Sequence, residues 1–196
     1  MKRIRKYFGI ITTALALTTV AAAESEIQNV SQLVAADAVL LQNVDARTVK
    51  QGDTVKARLT ESVHIAGDTK LPHNTLLIGH IDEVQPSGND GISRVVLTFD
   101  RAQLVNGQQI TIKSTIVGVY PDGTDENDLM HPSLNPDLKV YQEPSSRHGY
   151  ALSSNVADSS SGTLSANGKD VHLKKQTELV FALAPVAGAT FASAGK

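Results

Sequence analysis

The groups in this chain that could do chemistry are six histidines, twenty carboxylates and a scatter of serines, and their spacing decides what they can do. His64, His73 and His80 fall in adjoining strands and the link between them, so a hairpin could bring imidazoles together. A zinc site needs more than proximity: His73 belongs to a turn, His64 to a polar register, and no carboxylate–histidine pair has a metal-binding spacing. Exposed histidines are the expected outcome. Asp122, Asp125, Glu126 and Asp128 form an acidic cluster, but it lacks the alternating ligands and closing glutamate of a calcium loop and reads as a solvated segment. No Gly-x-Ser-x-Gly elbow, His-Glu-x-x-His or phosphate-cradling glycine loop occurs. Ser193 and Lys196 match a Ser-x-x-Lys spacing at the very end of the chain, where no helix can hold them together. The serines between Ser145 and Ser165 have the composition of a linker. No catalytic residue, metal or cofactor is assigned. That leaves Asp100-Arg101 as a charged pair able to cap a turn or to present a rim to a partner, with the Asp122–Asp128 cluster as the other candidate contact.

Bulk composition narrows the partners. At 196 residues and 41% hydrophobic the chain can bury one domain's core. A net charge of −2, 4% aromatic residues and no tryptophan give neither the electrostatic footprint nor the stacking surface of a nucleic-acid binder. With no cysteine, disulfides and thiolate chemistry are excluded, and stability must come from packing and sheet hydrogen bonds.

Residues 1–23 read as a secretory signal: Lys2, Arg3, Arg5 and Lys6, then an apolar run from Phe8 to Val20, then Ala21-Ala22-Ala23. The run is shorter than the roughly 20 residues a spanning helix needs, so the mature chain is expected outside the cytoplasm, periplasmic or secreted, with no membrane span. Residues 24–50 place Ile27, Val30, Leu33, Val34, Val39, Leu40 and Val44 at three- and four-residue intervals, which predicts a short N-terminal helix.

From residue 51 the period changes to two. Val55, Ala57, Leu59, Val63 and Ile65 alternate with polar residues as one strand, and Glu61, on the apolar register, requires a bulge or a cation such as Arg94 or Arg101. Leu76 to Ile81 is apolar on both faces, with Gly79 at a bend. Ser93 to Phe99 is the next strand, closed by Asp100-Arg101. Asn106-Gly107 predicts a two-residue type I′ hairpin turn leading to a strand from Gln108 to Val119. Residues 120–168, rich in proline, serine and acid, read as a long irregular insertion, and Asn167-Gly168 as a second hairpin turn. Strand pattern resumes over 169–184, stops at Pro185, and 185–196 forms a flexible tail. One echo stands out. Leu173-Lys174-Lys175-Gln176-Thr177-Glu178-Leu179-Val180 repeats the pattern of Leu71-Pro72-His73-Asn74-Thr75-Leu76-Leu77-Ile78. The fold expected is mainly β: a small barrel or sandwich built from 51–119 and 169–184.

The order Ala57, Thr60-Glu61-Ser62-Val63, Leu71-Pro72, Thr75, Gly79, Ser93-Arg94-Val95, Asp100-Arg101 and Asn106-Gly107 resembles the C-terminal β domain of TrbI-like scaffold components of bacterial type IV secretion channels. From Val44-Asp45 through Gly52-Asp53 to Val119 the chain is more similar to small secreted bacterial proteins of unestablished function. Those channel components carry a cytoplasmic tail and a retained membrane helix where this chain has a signal-like segment. Asn74 and Gln176 stand where the turn usually has glycine; asparagine can still adopt the left-handed backbone. The resemblance implies a barrel-like module that packs against other envelope proteins. The function expected is therefore non-enzymatic, a cell-envelope interaction or assembly module. A binder of a small apolar or glycan ligand in the barrel mouth is the alternative, and a periplasmic hydrolase a more distant one.

Overall fold

The computed structural model describes residues 33–65, 69–88, 91–120, 140–143, 149–156 and 158–185. The signal-like segment, Asp122, Asp125, Glu126, Asp128 and the tail beyond Pro185 lie outside them. Every regular element described is a strand: β1 (Val34–Leu40), β2 (Val44–Asp45), β3 (Thr54–Leu59), β4 (Val63–Ile65), β5 (Thr69–Leu71), β6 (Leu76–Gln85), β7 (Ile92–Gln103), β8 (Gln109–Tyr120), β9 (Val140–Glu143), β10 (Ala151–Asn155), β11 (Gly162–Asn167), β12 (His172–Leu173) and β13 (Glu178–Pro185). Six of them close into an antiparallel barrel in the order β6-β3-β1-β13-β8-β7, sealed by the β6–β7 ladder. β11, β10 and β9 extend outward from β7.

The helix expected over residues 24–50 is not formed where that segment is described. Ala36, Ala38 and Leu40 point inward from β1 at period two, and small alanines on the core face left the larger side chains to suggest a helical spacing. The single strand expected from Val55 to Ile65 is two strands. The chain turns at residues 60–62, which sets Glu61 in solvent without needing Arg94 or Arg101. β7 does not end at Asp100-Arg101 but runs through the pair to Gln103, and Asp100 is the extra residue of a bulge between Ile78↔Arg101 and Gly79↔Phe99.

At Asn106-Gly107 only Gly107 has positive φ (84°). The Gly107 amide donates to the Leu104 carbonyl and the Leu104 amide to the Gln108 carbonyl, which makes a three-residue loop closed by a left-handed glycine in place of the type I′ turn. Nor does Asn167-Gly168 make a hairpin: β11 pairs with β7, in register from Gly162↔Leu97 to Asn167↔Ile92. The insertion expected to be irregular over 120–168 contributes β9, β10 and β11 to the main sheet.

The echo in the sequence is structural, and it is part of a larger pseudo-twofold. In β1–β13 the pairs Ala36↔Phe181, Asp37↔Val180 and Ala38↔Leu179 match Val55↔Gly79, Lys56↔Ile78 and Ala57↔Leu77 in β3–β6. Register shifts fall at matching points, Val180/Phe181 against β8 and Ile78/Gly79 against β7. Two short ribbons complete the match: Asp45↔His172 and Val44↔Leu173 in one, His64↔Lys70 and Val63↔Leu71 in the other. Because β1 and β3 run antiparallel, the ribbons that follow them lie at opposite ends of the barrel. Each sends a fully buried leucine, Leu71 or Leu173, into the common core. The halves are not tandem copies, since the chain visits one as β3, β6, β7 and the other as β1, β8, β13.

The interior is filled by side chains. Phe99 and Phe181 meet edge to face at 5.1 Å, and Phe181 occupies the position equivalent to Gly79. A Cβ at Gly79 would collide with the Thr98 carbonyl and press on Phe99, so the glycine clears the space in which the Phe99 ring stands.

Candidate interaction surface

β7 and β8 form a fork. They pair from Gln103↔Gln109 to Arg101↔Thr111 and then part, because Ser161 and β11 enter between them. Ser161 takes the place of a ladder residue: its amide donates to the Leu97 carbonyl at 2.8 Å and its carbonyl accepts from the Ile116 amide at 2.6 Å. Its hydroxyl accepts from the Phe99 amide at 2.7 Å and lies 2.7 Å from the Ser114 hydroxyl, which donates to the Phe99 carbonyl at 2.7 Å. Ser154 adds a bond to the Ile116 carbonyl at 2.5 Å. Three buried hydroxyls thus satisfy backbone groups that the fork would leave unpaired. These serines bond the backbone and one another, and no imidazole of the described residues is among their hydrogen-bond partners.

Outside this seam lies an open groove of about 320 Å³ lined by Thr98, Asp100, Lys113, Ser114, Asp158 and Ser159, among others. Asp100, one of the six candidate contact residues named from the sequence, is at its edge; Arg101 is exposed and reaches back to it at 3.3 Å. Beside the groove the Thr98 hydroxyl donates to Asp82, whose other oxygen is 2.9 Å from His80 Nε2. The order of this chain is wrong for a nucleophile. The imidazole lies beyond the carboxylate and cannot take the hydroxyl proton, and a carboxylate is too weak a base to do so alone.

A second polar cluster, missed in the sequence, joins one end ribbon to the barrel. Asp45, nearly buried, accepts from the Arg47 amide (2.9 Å) and guanidinium (3.2 and 3.3 Å), and lies 2.9 Å from His172 Nδ1. Arg47 also lies 3.5 Å from Asp170, which accepts from the Ser87 amide at 2.7 Å. The Arg47 guanidinium foremost, then its amide, hold the Asp45 carboxyl far below the usual carboxylate range. A carboxylate orienting a histidine could serve a nucleophile, but the nearby Ser93 hydroxyl is committed to the Gln85 carbonyl and the Val171 amide, so the cluster is a clamp. Only the Asp45–Arg47 turn spacing hinted at it; the meeting with Asp170 and His172, about 125 residues on, had no local signal.

His64, His73 and His80 do not converge, and among the described residues no three His, Asp or Glu side chains are grouped to hold a metal. No helix of the described residues is long and apolar enough to cross a membrane. At the far end of the main sheet β9 pairs with β10 along one side, and among the described residues no strand continues the ladder on its other side. No family model matches this sequence, and no curated protein matches it.

Proposed function

We propose that this chain is an exported, non-enzymatic β-barrel module of the bacterial cell envelope that works by holding other proteins. The carrying observation is the outer edge of β9. A closed barrel has no strand edges, yet here a three-strand extension ends in a strand that no other described strand pairs on its outer side, and such an edge is a template for a strand from another chain. The signal-like segment 1–23 and the resemblance to envelope scaffold domains support the same reading. A ligand in the barrel mouth is disfavoured because both end ribbons pack leucines into the core.

Proline substitutions test it, because alternate amides of an edge strand face opposite sides. Two double variants of residues 24–196, Val140→Pro/Gln142→Pro and Tyr141→Pro/Glu143→Pro, are compared with the parent in capture from envelope extract. One double removes the outward amides and leaves the β10 ladder intact by hydrogen exchange; that variant is expected to lose its partners. Undiminished capture by it rules the edge out. Excising the whole insertion would be a poor test, since Ser161 goes with it.

A further inference from the structure

The pseudo-twofold supplies an internal comparison between the barrel's two outer faces. On the β1–β13–β8 face the positions are Asp37, Val180 and Gly118 in one row, with Val117, Tyr120, Val156 and Ala182 closing over it as a small buried cluster that Leu33 joins. On the β3–β6–β7–β8 face the equivalent row is Lys56, Ile78, Arg101 and Thr111. Arg58 follows Lys56 two residues along β3 on this face, and Lys113 follows Thr111 on β8. All four cations are exposed, and Lys56, Arg58 and Lys113 make no ion pair among the described residues. Asp100, with Arg101 as its partner, lies within these rows, and Asp158 lines the groove beside Lys113. The four strands place the charges across about 14 Å, and the Ile78 side chain in the middle of the row is itself buried.

We infer that this basic face is a docking surface for an acidic face of a partner protein. Where one outer row is covered by an apolar cluster, the equivalent row carries exposed cations, three of which have no ion pair among the described residues. That charge sits on a chain whose net charge is −2, so it is concentrated here against the overall balance. Charges of one sign gathered on one face steer a complementary surface and fix its register. The inference deepens the interaction-module reading by naming the partner's chemistry, and it uses a surface other than the β9 edge.

The test is binding of fluorescent poly-L-glutamate to residues 24–196 at low salt, with phosphatidylglycerol vesicles as a second probe. Lys56→Glu/Arg58→Glu is expected to weaken poly-L-glutamate binding at least about tenfold with Tm maintained. Lys174→Glu/Lys175→Glu, two cations on an end turn, should change it less than about twofold. Equal loss in both variants, or no binding by the parent, overturns the inference. Tight vesicle binding lost in the same face variant also overturns it, in favour of an anionic membrane surface. A β9 variant that loses envelope capture but still binds poly-L-glutamate separates the two surfaces, and failure of either leaves the other standing.

Discussion

Asn74 and Gln176 hold the same left-handed backbone, φ 68° and 74°, at equivalent points in the two halves of the barrel. They are the described non-glycine residues with positive φ, and each sits in a turn closed by the same bond: Thr75 amide to Pro72 carbonyl, Thr177 amide to Lys174 carbonyl, both 3.1 Å. Each turn then clasps a core leucine, Leu59 between Asn74 and Thr75 and Leu40 between Gln176 and Thr177. The backbone geometry is retained while the residue best suited to it is absent from both sites.

That strain is removable. Glycine takes positive φ without a Cβ clash, so Gln176→Gly should raise stability by about 1 kcal/mol, less the extra entropy glycine gives the unfolded chain. Asn74→Gly should gain less, because asparagine tolerates this region better and its amide bonds His73 Nδ1 at 3.0 Å. Urea unfolding of the two variants and of Gln176→Ala, which should gain nothing, checks the ranking.

The shared turn was visible in the sequence because it depends on contiguous residues: Leu71 and Leu173, Thr75 and Thr177. The central strands were visible because large apolar side chains alternate, as in Val55-Ala57-Leu59. Where the core face uses small or polar residues the pattern fades. β1 buries Ala36 and Ala38, β10 buries Leu152 and Ser154, and β11 buries Gly162, Leu164 and Ala166. Gly162 packs against Ile116 and Leu152, so its missing side chain is a fit to the barrel wall and not a sign of a linker. Asp100 was legible as a charged residue near a break, but the break is a bulge within a strand. The fork behind it depends on Ser161, which only the tertiary pairing reveals.

The fork gives a coupled polar network. Ser161→Ala leaves the buried Phe99 amide without its acceptor and should cost about 1–3 kcal/mol. Ser114→Ala removes the donor to the Phe99 carbonyl at similar cost. Because the two hydroxyls also bond each other, the double variant should cost at least 0.5 kcal/mol less than the sum, roughly the coupling seen between contacting groups. A double-mutant cycle by denaturant unfolding measures it; strict additivity would mean the seam is two separate bonds.

Gly79→Ala should be among the most damaging single-methyl additions. The new Cβ meets the Thr98 carbonyl, which belongs to a paired strand and cannot swing away, and it also presses on the Phe99 ring. A cost of at least about 3 kcal/mol is expected, at the upper end for overpacking. Gly107→Ala offers the contrast. Its Cβ would meet nothing within 4 Å, so the penalty comes from φ 84° alone and should be about 1–2 kcal/mol. Thermal melts of the pair separate crowding from backbone strain.

The Asp45 clamp makes stability depend on acid in a direction its carboxyl fixes. Its folded pKa is depressed, chiefly by the Arg47 guanidinium, so the clamp stabilises the fold fully above the unfolded value of about 3.9. That contribution declines as pH falls below the unfolded value toward the depressed folded one. Asp45→Asn should therefore be less stable than the parent at pH 7, by about 1–2 kcal/mol for the charge-assisted bonds it loses. The gap should narrow steadily between about pH 5 and pH 2. His172→Ala removes a single contact to the carboxylate and should shift the pH 7 value less, leaving the acid-dependent narrowing in place because Arg47 still holds Asp45. Guanidinium unfolding at pH 7, 5, 4 and 3 follows both variants, and a gap for Asp45→Asn that stays constant down to pH 3 would show that the carboxylate is not what the clamp depends on.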